Sequence, residues 1–265
     1  MLAIGGSDTS AGAGIQADLK TIHALGGHAL TVVTAITAQT GLGIDSIHEL
    51  PAGVIASQIR SAANVSRWDA VKIGMVGSVD AVQRLACELG AFEGVPIVLD
   101  PVLQASDGTA LLDDRAVHHL LTELAPIATI LTPNAVEAEA LTGVRIDDLA
   151  DARVAATSLI ERGCKNVLLK GGHIRGAEGT DVLVTASGTE RLQAPALHSP
   201  TAHGSGCALA SAIACAMAHG KSVREAALDG RCYIRSLLER SRALSPGSGL
   251  LDHFTRAPPA HDESE

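Results

Sequence analysis

Short apolar runs rich in β-branched residues alternate with longer segments of helical period, and this alternation constrains the fold more than any other feature of the chain. Such a pattern is that of parallel strands joined by crossover helices, a sheet covered on both faces. The runs at 2–5, 29–36, 70–74, 97–100, 128–132, 167–170 and 182–185 read as strands. Several end in polar or glycine-bearing segments: Gly5-Gly6-Ser7-Asp8, Thr37-Ala38-Gln39, Asp100-Pro101-Val102 and Thr132-Pro133-Asn134. Ligands of open α/β sheets collect at the carboxyl ends of strands, so these segments are expected to converge on one rim.

Helices are equally legible. Ile15, Leu19, Ile22 and Leu25 step along one apolar face, and so do Val117, Leu120, Leu121 and Leu124 behind an Asp113-Asp114 cap. There is no repeat and no internal linker, so one domain over 1–254 is expected, with a polar, proline-bearing tail at 255–265 expected to be disordered. A net charge of −9, with one Trp, one Tyr and two Phe, excludes a basic, base-stacking nucleic-acid groove. No apolar stretch approaches 18 residues and no basic leader precedes the first strand, so a soluble, cytoplasmic protein without membrane partners is expected. The five cysteines, at 87, 164, 207, 215 and 232, form no C-x-x-C pair and fit neither a disulfide framework nor a zinc ribbon.

Three constellations carry chemistry. Gly12-Ala13-Gly14-Ile15-Gln16-Ala17 formally satisfies a dinucleotide fingerprint, but the glycines lie too far past the first strand and no acidic residue closes the second. Within the same segment Asp18 projects near the apolar face, as a satisfied buried carboxylate bonded to the 7–10 loop or as a ligand contact. Gln39 offers an amide that matches a heterocycle bearing an amino group beside a ring nitrogen, and is otherwise structural.

The strongest constellation is Thr201-Ala202-His203-Gly204-Ser205-Gly206-Cys207, directly before a long helical stretch. Small residues at a helix start free backbone N–H groups to converge on an anion. Cys207 falls in that first turn, where a thiol pKa drops to as low as ~3.5–7.5, and is expected to be a base or nucleophile near neutral pH. The other four cysteines are expected to be buried packing residues. In the third constellation Asn134 is a candidate helix cap with Glu137 at the capping-box position, while Asp100 and Lys170 offer a carboxylate for a metal and an ammonium for a phosphate. Together these are the parts of a phosphoryl-transfer site.

The chain resembles, to about Phe254, the bacterial hydroxymethylpyrimidine/phosphomethylpyrimidine kinases of thiamine biosynthesis, members of the ribokinase-like superfamily. The runs that carry the resemblance include Gly6-Ser7-Asp8 with 11–20, Thr37-Ala38-Gln39, 71–75, 98–102, Thr132-Pro133-Asn134 with Glu137, Lys170-Gly171-Gly172-His173 and 203–207. The resemblance implies a three-layer α/β/α fold with a mostly parallel central sheet and no separate lid domain. It further implies a homodimer that uses ATP and Mg²⁺ to phosphorylate the pyrimidine alcohol and then its monophosphate. By it Asp18, Gln39, Met75 and Val102 line the pyrimidine site, and Cys207 is the base beside amides of Gly204, Ser205 and Gly206. Asn134, Lys170 and Ser205 would bind nucleotide, with Asp100 and Glu137 at the metal. Ala202 and Ser205 stand where threonines are common. Alternatives are a pyridoxal or pyridoxine kinase of the same superfamily and a non-catalytic metabolite-binding relative.

Overall fold

The computed structural model describes residues 1–40, 43–105, 107–172, 174, 176–177, 179–195, 202–245 and 248–253. In chain order the elements are β1 (Leu2–Asp8), α1 (Gly14–Ala24), β2 (Leu30–Thr40), β3 (Gly43–Glu49), α2 (Ala52–Val65), β4 (Val71–Ile73), α3 (Val79–Leu89) and β5 (Ile97–Leu99). Next come α4 (Asp114–His119), which runs on into a π-helical turn at Leu120–Leu124, then β6 (Ile130–Leu131), α5 (Ala135–Thr142), α6 (Leu149–Glu161) and β7 (Val167–Leu169). The chain continues through β8 (Thr180–Thr185), β9 (Gly188–Gln193), β10 (Ala202–His203), α7 (Ser205–Ala218), α8 (Val223–Arg240), β11 (Arg242–Ser245) and β12 (Ser248–Leu250).

Nine strands form one sheet in the order β3-β2-β1-β4-β5-β6-β7-β8-β9. From β2 to β7 every neighbouring pair is parallel, while β3, β8 and β9 add antiparallel edges. Side chains alternate across a strand, and the two faces follow from that alternation. Leu2, Ile4, Ile73 and Leu99 pack with Ile55, Leu85, Leu120 and Leu159 under α2 to α6. Val98, Ile130 and Leu168 meet Leu209, Ile213 and Ala226 of α7 and α8 on the opposite face, where Ala3 meets Ile22 of α1. The result is an α/β/α sandwich. Helix α7 is buried at every position from Ala208 to Met217, consistent with its alanine-rich, all-round apolar sequence.

All seven expected strands are present. Residues Thr37–Gln39, expected at a strand end, instead continue β2 into a hairpin, where Thr37 faces Ile47 and Gln39 faces Ile44 of β3. Leu19 is 39% exposed, because the buried stripe of α1 is centred on Asp18 and Ile22. Asp113 caps α4 through the Ala116 amide at 2.7 Å, as expected. The 255–265 segment lies outside the described residues. Among the described residues no helix is long and apolar enough to cross a membrane.

Candidate active site

A cavity of about 450 Å³ opens at the carboxyl ends of the parallel strands. The expected rim is there: Gly5 to Asp8, Gln39, Asp100, Val102 and Asn134 all line it, with Met75, Glu137, Lys170 and the 203–207 turn. Met75 and Val102 belong to one apolar cluster with Ala35, Leu111 and Ile44, which gives the cavity an apolar side. The Gln39 amide, on the β2 arm beside them, is partly exposed.

The anion cradle is built by two loops in contact. Gly204 caps α7 with φ of +85°, and a Cβ there would stand 1.9 Å from the Gly12 carbonyl oxygen, so only glycine fits. The first helical amide bond made to this cap is that of Ala208 to the Gly204 carbonyl. Ahead of it the N–H groups of Ser205, Gly206 and Cys207 have no intrahelical acceptor and are available to a bound anion at the positive end of the helix dipole. A Cβ at Gly206 would lie 3.4 Å from both Lys170 Nζ and Asp100 Oδ2, so the cradle and the charged cluster meet there.

Asp8 fastens the two loops. Its carboxylate accepts from the amides of Ser10 (2.7 Å), Gly12 (3.0 Å) and Ala13 (2.7 Å), and from the Ser10 hydroxyl. His203 Nε2 lies 3.1 Å from its Oδ2, which spans from the cradle to the β1–α1 loop. Burial raises the pKa of Asp8, but His203 and these amide and hydroxyl donors outweigh it and hold the carboxyl well below the usual range. A depressed carboxylate contributes stability that is present above its unfolded pKa of about 3.9 and is lost as pH falls through the folded value. Asp8→Asn should therefore cost about 1–3 kcal/mol in urea unfolding at pH 7. The gap to the unsubstituted protein should shrink below about pH 4.

Lys170 Nζ sits 2.9 Å from Asp100 Oδ1 and 3.9 Å from Glu137 Oε2. Burial would lower the lysine pKa, but Asp100 and Glu137 more than offset it and raise it. Glu137 is pushed up to about 7 by burial, which Asp100 reinforces and Lys170 opposes. Asn134 and Glu137 also form the expected capping box of α5, at 2.8 and 2.7 Å. Capping and lining the cavity are thus one arrangement, since the α5 N-terminus itself faces the rim. Among the described residues no cluster of three or more His, Cys, Asp or Glu side chains could enclose a metal. Mg²⁺ is bound through one or two carboxylates plus substrate phosphates, and the hard oxygens of Asp100 and Glu137 fit that demand.

Two expectations are corrected. Asp18, expected to line the pyrimidine site, has no exposed surface and lies beneath the cavity. Its oxygens pair with Lys72 at 2.8 Å and accept from the Ser211 hydroxyl at 2.8 Å, so the 7–10 loop is not its partner. Cys207 does occupy the first turn of α7, but its thiol is pushed up to about 11 by burial, with Lys72 pulling the other way. Desolvation outweighs the helix N-terminus there, so the thiol is protonated at neutral pH. Of the remaining cysteines, Cys164 and Cys215 are buried as expected, whereas Cys87 and Cys232 are exposed. Lys72 is the site residue that sequence reasoning passed over, and its signal was a lone charge between Val71 and Ile73 in an apolar strand.

A turn of free amides at a helix start, with a lysine and two carboxylates on the rim of a mostly parallel sheet, fits a kinase of the ribokinase-like class. Solved structures agree with that class. A Bacillus subtilis pyridoxal kinase in an ADP complex superposes with a TM-score of 0.87 at 29% identity, over 95% of this chain and 96% of that one. A phosphomethylpyrimidine kinase from Clostridium difficile 630 matches with a TM-score of 0.78 at 37% identity, over 89% and 97%. The chain belongs to the phosphomethylpyrimidine kinase family, whose model matches residues 8–252. A hydroxymethylpyrimidine/phosphomethylpyrimidine kinase of Streptomyces coelicolor is 42% identical over 253 residues, 96% of this chain and 93% of that protein.

Proposed function

We propose that this protein transfers the γ-phosphoryl group of ATP to 4-amino-5-hydroxymethyl-2-methylpyrimidine and then to its monophosphate, giving the diphosphate. The observation that carries this reading is the meeting of the Gly204–Cys207 turn with Lys170 and Asp100 at Gly206, beside a wall formed by Met75 and Val102. The pyrimidine ring lies on that wall and the Gln39 amide reads its amino edge. Asn134, Lys170 and Ser205 hold the nucleotide phosphates. The amides of Ser205, Gly206 and Cys207 stabilise charge that develops on the transferred group. Asp100 and Glu137 would hold Mg²⁺, which would neutralise phosphate charge when bound. Cys207, in its thiolate form, takes the hydroxyl proton of the acceptor. The protein works in the cytoplasm as a homodimer, and Ile36, half-exposed on β2 near the sheet edge, suits a partner surface.

Pyridoxal is the competing acceptor, because a pyridoxal kinase superposes so well. A site built to hydrogen-bond one heterocycle edge penalises a substrate lacking it. The competing kcat/KM values should favour the aminopyrimidine, and Gln39→Leu should erase that preference. A preference for pyridoxal would replace this reading.

A further inference from the structure

Lys72 and Asp18 form an ion pair with both side chains at 0% exposure, directly under the cradle. Ser211, one helical turn beyond Cys207 on α7, donates to Asp18 at 2.8 Å, so the pair is fixed to the helix that carries the thiol. A buried pair of this kind gives little net stability, and apolar side chains of similar volume serve as well or better. Its placement calls for another account.

Three observations point to one. Lys72 contributes to the cavity wall although no water reaches it. Its ammonium has three donors, and among the described residues its only hydrogen-bond acceptor is the Asp18 carboxylate, whose two oxygens lie at 2.8 Å. The ammonium occupies the space beside Gly74, where a Cβ would stand 2.6 Å from Nζ, so a side chain at that position would displace it.

We propose that Lys72 is a positioning residue for phosphoryl transfer, the fixed buried cation against which Cys207 Sγ exchanges its proton. The charged groups that act on the thiol are Lys72 from β4, Asp18 from α1 and Asp100 after β5. Lys170, after β7, is electrostatically linked to it as well. Lys72 is the leading influence favouring the thiolate, and Asp18 opposes it. In the transfer step the bond from the γ-phosphorus to the ADP oxygen breaks and one to the acceptor oxygen forms. The acceptor's hydroxyl proton passes to the Cys207 thiolate, and the thiol later returns it to water. The inference rests on the proposed role of Cys207, but it is tested on the thiol itself, without substrates.

The test is alkylation of the full-length protein by iodoacetamide at pH 8.5, followed peptide by peptide by mass spectrometry, with the exposed Cys87 and Cys232 as internal references. Asp18→Asn removes an anion and should speed alkylation of Cys207 by about three- to tenfold, the lower figure reflecting the weaker nucleophilicity of a less basic thiolate. Lys72→Met should slow it by a similar factor. It should also lower kcat for the pyrimidine alcohol while leaving KM for ATP near its original value. Should Lys72→Met fail to fold, Asp18→Asn alone decides. Opposite signs in the two variants, or acceleration in Asp18→Asn alone where its partner variant does not fold, support the proposal. Equal signs, no change in Cys207 reactivity, or slowing in Asp18→Asn overturn it, whether or not the protein is an active kinase.

Discussion

Replacing Cys207 by alanine lowers kcat by about 10²–10⁴, the range for loss of a general base, while the pyrimidine still binds. The fold should tolerate the change. Cys207 is not part of the apolar clusters that hold α7 to the sheet. The same residue sets the pH profile. With its thiol at about 11 in the free protein, the thiolate is a small fraction at pH 7 and grows tenfold for each pH unit below that value. A base that must be ionised gives a kcat/KM that climbs between pH 7 and 9.5, and the climb should vanish in Cys207→Ala. A flat profile with an unchanged rate in the variant would remove the thiol from the mechanism.

Lys170→Met is the second large effect. The lysine is the cation that stands between Asp100 and Glu137 and faces the cradle at Gly206. Its loss should lower kcat/KM for ATP by about 10²–10³, comparable to removing one stabilising donor from a preorganised anion site. Stability should fall too, with a defined pH dependence. Glu137 already titrates at about 7, above its unfolded value, so the folded state holds more protons between the two and stability declines as pH rises through that window. Without Lys170 the Glu137 pKa rises further and the decline extends to higher pH. Urea unfolding at pH 6 and pH 8 should therefore show a larger penalty at pH 8. An equal or smaller penalty at pH 8 would show that the lysine does not neutralise this pair.

The parallel strands and the rim were legible in the sequence because β1, β5, β6 and β7 are buried on both faces where they cross the sheet and so are written as short apolar runs, which β4 interrupts only at Lys72. Edge strands escape that rule. The β3 sequence Gly43–Glu49 and the β9 sequence Gly188–Gln193 each carry mostly exposed or half-exposed positions, and their pairing with β2 and β8 is a tertiary event. The site was legible wherever a backbone feature dictated it, as with Gly204 before α7 or Asn134 with Glu137. It was not legible where a role depended on what lies across the core. The partner of Asp18 is 54 residues away on β4, and no local spacing reveals it. The Cys207 thiol illustrates the same limit: its position at a helix start is local, whereas the desolvation that decides its pKa comes from the packing of α1, β4 and β5 against α7.

The central claim is pyrimidine-dependent phosphoryl transfer in two steps. The most direct measurement incubates the purified protein with ATP, Mg²⁺ and 4-amino-5-hydroxymethyl-2-methylpyrimidine and follows the products by anion-exchange chromatography. The monophosphate should appear first and the diphosphate follow, with two ADP formed per pyrimidine consumed. Binding of the pyrimidine without ADP formation would identify a metabolite-binding relative, and no turnover with either the alcohol or its monophosphate would contradict the account.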